Sequence, residues 1–239
     1  MSCREWRGSE EHTEERLTQA SQIASLFLTG PVGQLEALLN GGAPDAKYAA
    51  LVCHPHPLYG GTMHNKVVYH AAKALNEAGY PVLRFNFRGT GRSAGAHDGR
   101  AESDDVAAAV DWLAGEYGLP VIFAGFSFGA AVGLRACCPD RRVAGLIALG
   151  TPIAVDGRLY AYRFLQECSK PKLFVSGTED EFGPRKELER VVASAAGPKQ
   201  LVWVEGVGHF FEGKLPVMKS AMERWLVETF GSRQEQRGA

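Results

Sequence analysis

The sequence predicts an α/β fold: one mostly parallel sheet of about eight strands, flanked by helices and lacking a large cap domain. Three observations carry this reading. Short apolar runs alternate with helical stretches from about residue 49 onward, the pattern of a parallel sheet covered on both faces. The 239 residues, 45% hydrophobic and 22% charged, have ordinary globular composition and can bury one large core. Once strands and helices are assigned, no spare segment of domain size remains.

The elements follow in order. Residues 1–20 form a polar N-terminal segment whose order the sequence leaves open; residues 21–231 read as a single domain, and residues 232–239 as a polar tail. Residues 21–40 read as two strands joined at Thr29-Gly30-Pro31-Val32-Gly33, a Pro/Gly turn that makes an antiparallel start. Ala49–Cys53 is a buried strand. Residues 65–78 have helical periodicity and stop at Gly79. Further strands are predicted over 81–87, 121–126, 143–150, 172–177 and 200–206. Helices are predicted over 102–116, 127–137, 159–168, 185–196 and 215–230. The stretch 151–170 has room for a small flap at most.

Composition narrows the function. The formal net charge of −1 leaves no basic stripe for nucleic acid. No apolar run reaches the ~18 residues of a membrane span, and the charged start MSCREWRGSEEHTEER lacks the apolar segment of a secretory signal. Five cysteines without a C-x-x-C pair read as reduced thiols of a cytoplasmic protein.

The chemistry centres on Gly125-Phe126-Ser127-Phe128-Gly129, which follows the strand VIFAG and opens a helix. A G-x-S-x-G sequence in that context makes a sharp strand-to-helix turn and lifts the serine hydroxyl to the carboxyl end of the sheet. The helix N-terminus beneath it offers free N–H groups to a developing oxyanion. The competing reading is a coincidental Gly-Ser-Gly turn. Serine is a weak nucleophile and needs a base, which in turn needs orienting. For a nucleophile on such a turn, acid and histidine follow it in the chain. KLFVSGTEDEF places Glu179, Asp180 and Glu181 just after one strand, and VWVEGVGHFFEG places His209 just after the next. Asp180 is the expected acid, because its short side chain suits fixing an imidazole tautomer. Glu179 and Glu181 read as exposed loop residues. His209 is the only histidine after His97.

GFSFG, GTEDEF and GVGHFF, in that order after PVLRFNFRGTGRSAG, resemble an α/β-hydrolase. HPHPLYGGTMHNKVV and TGPVGQLEALL narrow the resemblance to small, lidless bacterial carboxylesterases close to dienelactone hydrolases, over roughly residues 22–230. The resemblance implies a serine hydrolase acting on carboxylic esters, with Ser127, Asp180 and His209 as its triad and no cofactor. Dienelactone hydrolases use a cysteine nucleophile where this chain has Ser127, which argues against transferring their substrate. The partner implied is a small-molecule ester, with no nucleic acid and no membrane; a homodimer is left open.

The stretch HPHPLYGGTMH (54–64) then takes a defined expectation. In this family the loop after the third strand supplies the second oxyanion donor, beside the Phe128 N–H. Pro55 and Pro57 have no N–H, which leaves His56, Leu58 and Tyr59, and the resemblance points to Leu58. Tyr59, His56, Phe126, Phe182 and Phe210 are expected to line the substrate pocket, with Phe128 and Phe211 as further apolar candidates. A metal site is the rival reading of His54, His56 and His64, but the stretch contains no carboxylate ligand. Gly89-Thr90-Gly91-Arg92-Ser93-Ala94 fits a dinucleotide fingerprint only loosely, since AHDGR intervenes before the helix. It reads instead as a tight loop, with Arg88 and Arg92 as ion-pair partners. Two further readings stand beside the esterase: a thioesterase, acyltransferase or peptidase using the same triad, and a non-catalytic binding protein on the same fold.

Overall fold

The structure is a computed structural model, and residues 23–155 and 157–232 are described. The expectations for residues 1–20 and for the tail at 233–239 lie outside the described residues.

Among the described residues, ten strands and five α-helices follow one another. They are β1 (Ile23–Gly30), β2 (Gly33–Asn40), β3 (Ala49–Cys53), α1 (Lys66–Glu77), β4 (Val82–Phe85), α2 (Glu102–Tyr117), β5 (Val121–Phe126) and α3 (Phe128–Cys137). After these come β6 (Val143–Leu149), β7 (Ala154–Val155), β8 (Arg158–Leu159), β9 (Lys172–Gly177), α4 (Arg185–Ser194), β10 (Lys199–Val204) and α5 (Leu215–Phe230). Eight strands form one sheet in the order β1-β2-β4-β3-β5-β6-β9-β10. β1 pairs antiparallel with β2, and β2 with β4; the remaining neighbours are parallel. This is the α/β-hydrolase architecture without a large cap.

Alternation along the buried strands divides the core into two layers. In β5, Val121 and Phe123 join the side chains of α2, α3 and α4. Ile122, Ala124 and Phe126 point the other way, toward α1 and α5. Because both faces are covered, β3, β4, β5 and β9 are buried at every residue; β3 and β5 read as unbroken apolar runs, while β4 carries Arg84 and β9 carries Lys172 and Ser176.

One expected helix is absent. Residues 159–168 instead supply the second strand of a two-residue hairpin, Ala154↔Leu159 and Val155↔Arg158, followed by a 3₁₀ turn at Arg163–Gln166. The reason lies in the segment's anchors. Ile153 and Ala154 N–H both reach Phe182 O, and the buried Tyr162 hydroxyl donates to Pro152 O at 2.6 Å, fixing an extended course.

The loop 88–94 is a tight connection tied to β2. Ser93 Oγ donates to Asn86 O and accepts from Glu36 N–H, and Asn86 and the Arg92 N–H both donate to Glu36 Oε2. Arg88 forms the expected buried ion pair, with Asp105 at 2.7 Å. Arg92 differs from expectation: its guanidinium stacks over Phe27, 4.8 Å from the ring centre. Cys53, Cys137, Cys138 and Cys168 are free thiols. Among the described residues no helix is long and apolar enough to cross a membrane.

Candidate active site

Ser127 sits between β5 and α3 with φ 54° and ψ −122°. Serine seldom adopts positive φ, and such strain persists only where the surroundings impose it. Here two glycines impose it. A Cβ on Gly125 would lie 2.6 Å from Gly129 O, and one on Gly129 would lie 2.4 Å from His54 O. Both obstacles are backbone, so α3 reaches this close to β3 only with glycine at each position. Ser127 N–H donates to Leu149 O, which ties the turn to the end of β6. Phe128 is the first residue of α3, and its N–H has no partner among the described residues.

Asp180 and His209 come from the loops after β9 and β10, and the structure brings them together. His209 Nδ1 lies 3.0 Å from both Asp180 carboxylate oxygens. Both residues are buried, at 4% and 3% exposure. The carboxylate also accepts from the N–H groups of Phe182 and Gly183 and from Ser176 Oγ, so its position is fixed before it meets the imidazole. With Nδ1 donating to the carboxylate, Nε2 is left as the basic nitrogen. Rings of Phe126, Phe182 and Phe210 surround the imidazole, with centroids 4.8–5.2 Å away. Glu181 is exposed on the same loop, and the Glu179 N–H is bonded to Val207 O.

Ser127 and His209 line one cavity of about 330 Å³, with Phe128, His56, Tyr59, Phe182 and Phe210. Phe126 does not line it. Alternation along β5 turns this side chain into the α1/α5 layer, where it is fully buried and supports His209 from below. Phe211 is buried in the same layer. Leu58 is 73% exposed and outside the lining, and its N–H points at His56 Nδ1, 3.3 Å away. The Tyr59 N–H is committed to His56 O at 3.1 Å.

His54 is a structural post rather than a pocket wall. It is fully buried and uses both ring nitrogens: Nδ1 donates to Pro55 O at 2.6 Å, and Nε2 accepts from Phe87 N–H at 3.0 Å. Burial lowers its pKa from 6.5 to about 4, which keeps it neutral and able to accept. His64 is exposed, and the ring of His56 packs against Phe128 and Tyr59. No group of three or more histidine, cysteine or acidic side chains among the described residues is arranged to hold a metal ion.

Val155 and Tyr160 complete the pocket wall from the β7–β8 hairpin, and Asn65 from the N-cap of α1. Sequence reasoning missed the hairpin residues. The signal was present in TPIAVDGRLYAY: an Asp156-Gly157 pair, here between Val155 and Arg158, is a hairpin turn sequence.

With this geometry in hand, comparison with known proteins is decisive. Residues 50–225 match the alpha/beta hydrolase domain family. The chain belongs to that family. It is 32% identical over 213 residues to an uncharacterised protein of Rickettsia prowazekii, covering 86% of this chain and 89% of that one. A solved alpha-beta serine hydrolase homologue from Coxiella burnetii is 36% identical, with a TM-score of 0.77 over 84% of this chain and 96% of that chain. A Xanthomonas campestris protein described as a serine hydrolase without lid is 34% identical, with a TM-score of 0.75 over 87% and 94%.

Proposed function

We propose that this α/β-hydrolase family member is a serine hydrolase that cleaves carboxylic esters. One observation carries the reading: a serine held at positive φ on the strand–helix turn shares a mainly apolar cavity with His209, whose Nδ1 is bonded to the buried Asp180. Strain of that kind at a cavity wall is characteristic of functional positions.

In the proposed reaction Ser127 Oγ attacks the ester carbonyl while His209 Nε2 takes its proton. The carbonyl oxygen becomes an oxyanion held by Phe128 N–H at the start of α3. A second donor comes from the His56–Leu58 turn; if it is Leu58, its N–H exchanges the His56 ring for the oxyanion. Collapse of the tetrahedral adduct breaks the bond to the alkoxy oxygen, and the alcohol leaves with the proton from His209. Water then attacks the acyl-serine, with His209 as base, and releases the acid and free Ser127. Asp180 stabilises the imidazolium formed in each half. The rigid Pro55-His56-Pro57 turn lowers the cost of aiming its donor, because it is already oriented when charge develops.

The test is hydrolysis of p-nitrophenyl acetate and butyrate by wild type and Ser127→Ala, each with and without EDTA. The expected loss in the variant is at least ~10³-fold in kcat/KM, with no effect of EDTA. Equal rates in both proteins would refute the serine mechanism, and loss with EDTA would restore the histidines as metal ligands.

A further inference from the structure

Beside the candidate active site lies a second cavity of about 400 Å³, between the start of α2, one face of α3 and the β7–β8 hairpin. Its polar lining is Arg100, Ser103, Arg135, Arg158, Tyr160 and Tyr162. Among the described residues no acidic side chain lines it, and none of the three arginines has a carboxylate partner. Elsewhere the contrast is plain: Arg88 pairs with Asp105, and Arg142 with both Asp111 and Asp140.

Aromatic rings rather than carboxylates position two of these guanidinium groups. Arg135 lies over Phe164, 5.4 Å from the ring centre, and Arg158 over Tyr160 at 5.0 Å. A guanidinium stacked by its face keeps its N–H edge available, and that edge matches carboxylate or phosphate. Arg158 spends one N–H on Gly99 O, which ties the hairpin to the start of α2. Glu102, a buried carboxylate at the start of α2, is turned to His97 and to the N–H groups of Asp98 and Gly99. Two residues join this cavity to the catalytic one. Tyr160 lines both, and Arg158 also reaches over Phe128, 5.9 Å from its ring centre.

We propose that the arginine cavity binds an anionic group, a carboxylate or a phosphate, carried by the ester whose carbonyl meets Ser127. The preferred substrate is therefore a negatively charged ester. The inference rests on the hydrolase reading for its second half only; anion binding by the cavity stands without it.

The test uses two esters of equal chain length, mono-p-nitrophenyl adipate and p-nitrophenyl hexanoate. The ratio of kcat/KM on the charged to the neutral ester is expected to fall about tenfold or more in Arg100→Ala/Arg135→Ala, mainly through KM, as loss of charge-assisted hydrogen bonds implies. Arg135→Lys alone should retain part of the preference, since it keeps the charge but not the fork. An unchanged ratio in the double variant overturns the role in substrate choice. A second arm needs no catalysis: adipate, inorganic phosphate and pyrophosphate are added to Ser127→Ala with and without the two arginine substitutions, and Tm is read. A rise in Tm that the substitutions abolish establishes the site, and the anion that produces it separates carboxylate from phosphate chemistry. Equal shifts with and without the arginines, or none with any anion, overturn the site. Failure of both esters in wild type would sink the hydrolase reading alone, and the Tm arm would still decide the cavity.

Discussion

Two walls of the same pocket are built in opposite ways. The wall at residues 54–61 stands on a fully buried histidine whose ring nitrogens are both bonded, with Gly129 packed against the His54 carbonyl. The facing wall, at 154–160, is a hairpin with two paired residues per strand, and Ala154 and Leu159 are exposed. The base of the first wall is fixed by buried bonds although its tip at 58–60 is exposed, and the second has few buried contacts. Under the proposed function the difference suits them to different work. A wall that aims an N–H at a developing charge gains from rigidity. A wall that sorts substrates by shape and charge tolerates change, as loops on a fixed scaffold do.

Breaking the rigid wall should have the largest effect. Gly129→Ala puts a methyl 2.4 Å from a backbone carbonyl that cannot turn aside. It should cost about 3 kcal/mol, a fall in Tm of roughly 10 °C, with loss of any esterase activity. An unchanged Tm by calorimetry would show that α3 moves away freely and that the packing argument is wrong.

His54→Ala comes next. It removes a buried ring and leaves the Phe87 N–H without its acceptor, for a cost of about 2–4 kcal/mol by chemical denaturation. The same residue gives a pH signature. Unfolded, its imidazole gains a proton as pH falls through 6.5; folded, it resists until about 4. The unfolded chain therefore binds the extra proton between those values, and stability rises with pH across that window and is complete above it. The contribution is about 3 kcal/mol between pH 4 and 6.5. The stability difference between wild type and His54→Ala should shrink as pH falls from 6.5 to 4. A constant difference would mean that His54 is not held neutral.

The smallest expected change in stability is at the hairpin. Tyr160→Ala should alter folding by no more than about 1 kcal/mol, yet shift the acetate-to-butyrate ratio of kcat/KM several-fold. A loss of stability matching that at His54 would erase the distinction between the walls.

The same contrast explains what the sequence disclosed. β3 and β5 were legible because strands covered on both faces can be apolar throughout, and β4 and β9 because their apolar runs are broken only by Arg84, or by Lys172 and Ser176. The Ser127 turn was legible because its glycines are required by backbone contacts next to a strand and a helix. Asp180 and His209 followed from chain order, and the structure puts them 3.0 Å apart. The hairpin was not legible as long as 159–168 was read by helical period. Asp156-Gly157 signals the turn, but the course of the segment also depends on Phe182 O and Pro152 O, long-range contacts outside that local pattern. Phe126 misled for a related reason. Aromatic character near a motif does not say which face a side chain takes, and Phe126 lies beneath the imidazole.

The account stands on Ser127 being a nucleophile activated by His209. Its most direct test is covalent capture with a fluorophosphonate, in which the serine oxygen bonds to phosphorus and fluoride leaves, followed by mass-spectrometric mapping of wild type and His209→Ala. The expected result is a single adduct on the peptide that carries Ser127, formed at least ~10²-fold more slowly without the histidine. An adduct elsewhere, or labelling of Ser127 at the same rate in both proteins, would contradict the account.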